Sequence, residues 1–237
     1  MEKNEPDPLL YLKSVEASLG EVDAFVSHSW HDDCDLKWEQ LQAYREEFKR
    51  ANNGREPLVW IDKCCLNQHD IKEGLMCLPV FLAGCESLLV LAGNTYPQRL
   101  WCVMELFIFL VMGGAEESVD LRILDVSGTD GAREGLKSFD VRSGSCSVQE
   151  DQDRMLTAIA GAFGSLDKFS GEVRLIFDHL LRAQESKNGL KKSKSVRVRN
   201  SIQEDKQERA VERARIVELE RKIRELEEGK GKTGNGD

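Results

Sequence analysis

The sequence predicts an α/β protein in which a parallel sheet is covered on both faces by helices. Three observations carry that prediction. From Val22 onward, short runs of β-branched and aliphatic residues alternate with longer stretches of helical periodicity, the order expected of successive strand and helix units. The run Leu88 to Ala92 (LLVLA) is apolar at every position, as a strand buried on both faces should be. Turn and stop residues punctuate the junctions: Asn52-Asn53-Gly54, Gly93-Asn94 and Gly113-Gly114.

The elements follow in chain order. Residues 1–20 read as an N-terminal extension, and Val22 to Ser27 (VDAFVS) as the first strand. A helix is expected from about Asp35 to Lys49, where Leu36, Leu41, Tyr44 and Phe48 recur at near-helical intervals. Leu58 to Asp62 (LVWID) is the second strand, and polar Lys63 to Asp70 is the loop at its carboxyl end. A helix from about Ile71 to Gly84 contains Pro79, which forces a late start or a kink because proline has no N–H to donate. Leu88 to Ala92 is the third strand, Gly93 to Pro97 a turn, Arg99 to Met112 a helix, and Asp120 to Val126 the fourth strand.

Ser127 to Ser147, rich in Gly, Ser and Asp, reads as a long loop with at most a short helical turn. Two amphipathic helices are expected near Glu150–Phe163 and Ser170–Ala183, with Met155, Ile159 and Phe163 on one and Val173, Phe177, Leu180 and Leu181 on the other. They close a domain of residues 21–185.

Beyond it the composition changes. Residues 186–202 carry Lys187, Lys191, Lys192, Lys194, Arg197 and Arg199, either as a solvated linker or as a nuclear-import or anionic-lipid patch controlled at Ser193, Ser195 or Ser201. Residues 203–228 form a charged helix: Ile216, Leu219, Ile223 and Leu226 fall on a coiled-coil seam, but Arg209 and Glu212 occupy the preceding seam positions. A short coiled coil and a solitary helix held by ion pairs one turn apart both fit. The tail, 229–237, is expected to be disordered.

Whole-chain properties narrow the function. Of the 237 residues, 41% are hydrophobic and 32% charged, with a net charge of −9, which disfavours a nucleic-acid footprint. The acidic start lacks the basic, then apolar, pattern of a signal peptide, and the most apolar stretch, Leu100 to Met112, is shorter than the roughly 20 residues that cross a bilayer. An odd count of seven cysteines, Cys34, Cys64, Cys65, Cys77, Cys85, Cys102 and Cys146, suits buried thiols in a reducing compartment better than a disulfide framework. A cytoplasmic location is therefore expected.

In a doubly wound sheet, ligands bind beyond the carboxyl ends of the strands. The loops there are Ser27 to Asp33 (SHSWHDD), Asp62 to Asp70 (DKCCLNQHD) and Gly93 to Glu105 (GNTYPQRLWCVME). His28, His31, Cys34, Cys64, Cys65 and His69 could meet as zinc ligands, but no standard spacing is present and adjacent cysteines rarely bind one ion, so no metal is expected. No glycine-rich phosphate loop follows any strand. Glu105 stands out because its helical neighbours are almost all apolar, and an ionised carboxylate there is costly unless compensated. It is paired, for instance with Arg99, or emerges to solvent, or is aimed into the crevice.

Three segments resemble the Toll/interleukin-1 receptor (TIR) domains: Asp23 to Trp30 (DAFVSHSW), Val59 to Lys63 (VWIDK) and Tyr96 to Leu106 (YPQRLWCVMEL). The resemblance is strong over residues 20–125 and weaker to 183. It implies a flavodoxin-like three-layer parallel sheet, a role in signalling of the innate-immunity kind, and self-association through the domain, with other TIR proteins as further partners. It also implies NAD cleavage at the nicotinamide–ribose bond, since Trp101 to Glu105 match a Trp-x-x-x-Glu motif whose glutamate is catalytic in TIR enzymes. NAD is then a substrate, and no cofactor is required. Ser27, His28, Ser29, Trp30, Asp62, Tyr96 and Trp101 are the expected dinucleotide contacts, with Trp30 and Tyr96 either stacking a ring or lidding the core, and Trp101 packing its helix. The second loop departs from the family pattern, with Cys64-Cys65-Leu66-Asn67-Gln68 where a charged run ends in Arg-Gly, and Gly74 as a late substitute for that glycine. That departure, and a helix partner for residues 203–228, favour a non-enzymatic adaptor as the alternative.

Overall fold

The computed structural model describes residues 8–66, 77–124, 130–187 and 189. Most of the loop after the second strand, with Gly74 and His69, nearly all of the basic segment, the charged helix of 203–228 and the tail lie outside the described residues. Residues Met1–Gln184 form one compact unit and Glu185–Asp237 a second.

Four strands, β1 (Ala24–His28), β2 (Val59–Trp60), β3 (Leu88–Ala92) and β4 (Val119–Ile123), make an all-parallel sheet in the order β2-β1-β3-β4. This is the flavodoxin-like α/β arrangement, whose topological switch lies between β1 and β3. Phe25 is in register with Leu88, and Ser27 with Val90. The pleat divides the apolar residues between two faces. Phe25, Leu88, Val90 and Ala92 enter a large core, while Ala24, Val26, Leu89 and Leu91 enter a small one.

The small core is covered by α2 (Cys34–Ala51), which brings Leu36, Leu41 and Tyr44 to it and is capped by the Asp33 side chain accepting from Asp35 N and Leu36 N. On the large-core face lie α4 (Leu78–Ala83) and α5 (Leu100–Val111). Packed with them are α6 (Gly131–Lys137), α7 (Gln149–Phe163) and a closing helix, α8, over residues 166–187. Two short helices, α1 (Pro8–Tyr11) and α3 (Asp62–Cys65), complete the set among the described residues. Helix α5 is apolar on nearly every side because it is covered on two sides. Its Leu100, Val103 and Leu106 face the core, and Phe107 meets Phe163 and Phe169 edge-on at 5.2 Å.

Two expectations are revised, the length of β2 and the loop before Ser147. Strand β2 is two residues rather than the expected five: Leu58 N–H is taken by the Asp23 carboxylate at 2.7 Å, and Ile61 O accepts from Cys64 and Cys65 N–H, which starts α3 where the strand should continue. Of the helix expected over 71–84, residues 71–76 lie outside the described residues, and the described part, α4, begins at Leu78 with Pro79 in its first turn. The Gly-rich stretch before Ser147 holds α6 and a 3-10 turn, Val141–Ser143, because Ala132, Leu136, Phe139 and Val141 are buried there despite Gly131 and Gly135. Among the described residues no helix is long and apolar enough to cross a membrane.

Candidate functional site at the strand ends

Glu105 reaches the carboxyl end of β1 from the second turn of α5. It is the only charged residue of that helix, and it is half-buried. The carboxyl Oε2 lies 2.5 Å from Oγ of Ser27, near the end of β1. Ser27 Oγ is in turn 2.9 Å from Oη of Tyr96, which donates to the Cys102 carbonyl at 3.0 Å. Ser27 and Tyr96 are fully buried. Among the described residues Glu105 has no ion pair: Arg99, the expected partner, donates instead to Ser147 Oγ at 2.7 Å. Burial pushes the Glu105 carboxyl up to about 8; the Ser27 hydrogen bond opposes the shift and the charge of Asp62 adds to it.

The second wall is built by β1 and the segment after β2. Trp30 Nε1 donates to Asp62 Oδ2 at 2.6 Å, and Lys63 N–H donates to Asp62 Oδ1 at 2.6 Å. The buried Lys63 ammonium sits 5.2 Å from the Trp30 ring centre, a cation–π contact. His28 Nε2 is 3.9 Å from Asp62 Oδ1. Burial lowers the His28 pKa; Asp62 works against this and Lys37 reinforces it, so the imidazole is neutral at pH 7.

A third group locks the loops after β1 and β3 together. Buried Asp32 accepts from Gly93 N at 3.0 Å, Thr95 N at 2.9 Å and Thr95 Oγ1 at 2.7 Å. Ser29 Oγ lies 2.7 Å from Thr95 Oγ1 and accepts from His31 N at 3.2 Å. A Cβ on Gly93 would sit 2.4–2.7 Å from the Asp32 carboxylate, so only glycine lets that carboxylate reach the backbone. Buried Lys37 fixes the same loop from α2, donating to Ser29 O at 2.8 Å and, more weakly, to Trp30 O at 3.5 Å; burial lowers its pKa.

The structure thus joins Ser27, Tyr96 and Glu105 in one hydrogen-bonded chain and His28, Trp30 and Asp62 in another cluster. It does not present all of them to a ligand. The Tyr96 ring is sealed in the core rather than offered for stacking, and the Ser29 hydroxyl is taken up by Thr95 and His31. Trp101 is half-buried and packs on the large core. His28 lines a recess with Cys34, Lys37 and Trp38 on the α2 face of the sheet, holding about 20 Å³, room for roughly one water molecule. Asp32, Gly93, Thr95 and Lys37 escaped the sequence reading. An aspartate beside a strand end and a glycine opening the next such loop were the available signals, but nothing local pairs them across 61 residues. Among the described residues no three His, Cys, Asp or Glu side chains gather as a metal site.

Fold and site together define a class: a flavodoxin-like α/β domain with a carboxyl group set, without an ion pair among the described residues, against the carboxyl end of a central strand. No family model matches the chain, and no curated protein or solved structure does.

Proposed function

We propose that this domain is a TIR-like signalling enzyme that cleaves NAD at the nicotinamide–ribose bond, with Glu105 as the catalytic carboxylate. The observation that carries the reading is the placement of Glu105. A carboxyl group half-buried on an apolar helix costs stability, and neither an ion pair among the described residues nor a fully exposed position offsets that cost. Instead it is turned to the end of β1, beside the switch point where ligands of such sheets bind.

The chemistry fits a substrate whose leaving group is a cationic ring. The glycosidic bond breaks with both its electrons going to nicotinamide, which leaves neutral, and positive charge develops on the ribose ring. Water then takes the ribosyl carbon and gives up a proton. An ionised Glu105 in a poorly solvated crevice stabilises that charge more than it would in water. The pyridinium of the substrate itself favours the ionised form.

The test is nicotinamide release by the purified full chain, at concentrations high enough for self-association. Wild type is expected to release it, and Glu105→Ala to be slower by at least about 100-fold, the usual worth of one electrostatic stabiliser. Equal rates would remove Glu105 from the site. No release by wild type would replace the enzyme with the adaptor reading, in which the altered second loop and the C-terminal helix select partners.

A further inference from the structure

The hydrogen-bonded chain that ends on Glu105 has a proton count of its own. A serine and a tyrosine hydroxyl each supply one proton. Three oxygen–oxygen contacts need one: Glu105 Oε2 to Ser27 Oγ at 2.5 Å, Ser27 Oγ to Tyr96 Oη at 2.9 Å, and Tyr96 Oη to Cys102 O at 3.0 Å. With Glu105 ionised only two protons are available. If Ser27 then donates to Glu105 and Tyr96 to Cys102, the buried Ser27–Tyr96 contact sets lone pair against lone pair; if Tyr96 donates to Ser27 instead, its bond to the Cys102 carbonyl is given up. With Glu105 protonated the count closes in a single direction, from Glu105 to Ser27, from Ser27 to Tyr96 and from Tyr96 to the Cys102 carbonyl.

We propose that Ser27 and Tyr96 are positioning residues of a directional relay that holds Glu105 as a neutral acid in the resting domain, and that the relay reverses when a nucleotide bearing a pyridinium ring binds at the strand ends. The proposal rests on the reading of Glu105 as the working carboxyl group. On reversal the Glu105 proton passes to solvent from its half-buried position. Ser27 turns its proton from Tyr96 to Glu105, and Tyr96 turns its own from the Cys102 carbonyl to Ser27. The carbonyl keeps its bond within α5. The groups facing Glu105 all favour this resting state: Asp62 from the segment after β2 is a like charge, and Tyr96 from the turn after β3 and Cys102 from its own helix are neutral and buried, while the His28 side chain of β1 lies on the α2 face. A substrate carrying a pyridinium supplies the positive charge that the described surroundings lack. A nucleotide whose base is uncharged does not, so the relay selects oxidised over reduced pyridine nucleotides.

The relay makes a prediction of sign that burial alone does not. Tyr96→Phe removes two hydrogen bonds from the neutral chain, Ser27 to Tyr96 and Tyr96 to Cys102, and one from the ionised chain, Tyr96 to Ser27, so the midpoint for ionising Glu105 should fall by about one pH unit, the worth of the one buried hydrogen bond between them. Ser27→Ala removes the Glu105 partner from both states, but the bond lost from the ionised state is charge-assisted and the stronger, so the midpoint should rise. Ser27→Thr keeps the hydroxyl and should restore the wild-type value. The measurement is an infrared titration of the full chain from pH 5 to 10, following the protonated-carboxyl band assigned by its loss in Glu105→Gln. It needs no substrate, so it succeeds or fails independently of nicotinamide release. A Tyr96→Phe midpoint at or above wild type overturns the relay. Absence of the band from wild type at pH 6 does so as well. If Tyr96→Phe does not fold, the serine pair decides: Ser27→Ala at or below wild type, or Ser27→Thr matching Ser27→Ala, overturns it.

Discussion

At the scale of single residues, the protein accepts a destabilising carboxyl group in order to place it. The ordinary value for a glutamate is 4.5, and Glu105 is held near 8, so folding favours its neutral form. That contribution is complete below pH 4.5 and is lost as the pH rises through 8. Glu105→Gln keeps a neutral side chain at every pH. Its stability relative to wild type should therefore grow between those limits by at most about 1.4 kcal/mol per pH unit, measured by urea denaturation at a series of pH values. If instead the two proteins keep a constant difference from pH 5 to 9, Glu105 is already ionised in the fold. In the active protein, the rate at low substrate should rise with pH toward a plateau above 8, since the ionised form is the one that stabilises the developing cation. A rate that falls from pH 6 to 8 would mean that Glu105 works as an acid.

At the scale of elements, what was legible in the sequence was what repeats or what is locally expensive. The strand Leu88–Ala92 matches its expected span because five consecutive apolar residues leave no other reading beside Gly93. Glu105 was visible because one charge among apolar residues is a local anomaly. Its Ser27 partner was named from position, but not as a hydrogen-bond donor, since residues 78 apart share no periodicity. Helix α6 was illegible because Gly131 and Gly135 lower helix propensity, and only burial of Ala132 and Leu136 restores it. The Asp32 strap is a purely tertiary device with a sharp consequence. Gly93→Ala should displace the Asp32 carboxylate and strand the N–H groups of residues 93 and 95, costing about 2–4 kcal/mol. Thermal denaturation checks this, and a loss below about 0.5 kcal/mol would show that the strap yields without cost.

At the scale of the whole molecule, the sheet has a strong side and a weak one. Tyr96, Phe139, Phe169 and Phe177 all pack on the α5 face, whereas α2 rests on a handful of aliphatic residues, leaves Trp38 57% exposed and buries fully only an amine, that of Lys37. Local opening follows the thinner packing. In native-state hydrogen exchange the amides of α2 should therefore lose protection well before those of α5, with opening free energies lower by roughly 2 kcal/mol or more. Equal protection would mean that the sheet unfolds only as one piece. Ser27, Tyr96 and Glu105 all belong to the α5 side, so the molecule should breathe on the half that does not carry the proposed catalytic carboxyl group. Peeling α2 away would release the recess behind His28 while the proton-bearing oxygens stayed in place, dividing the domain into a yielding face and an enduring one.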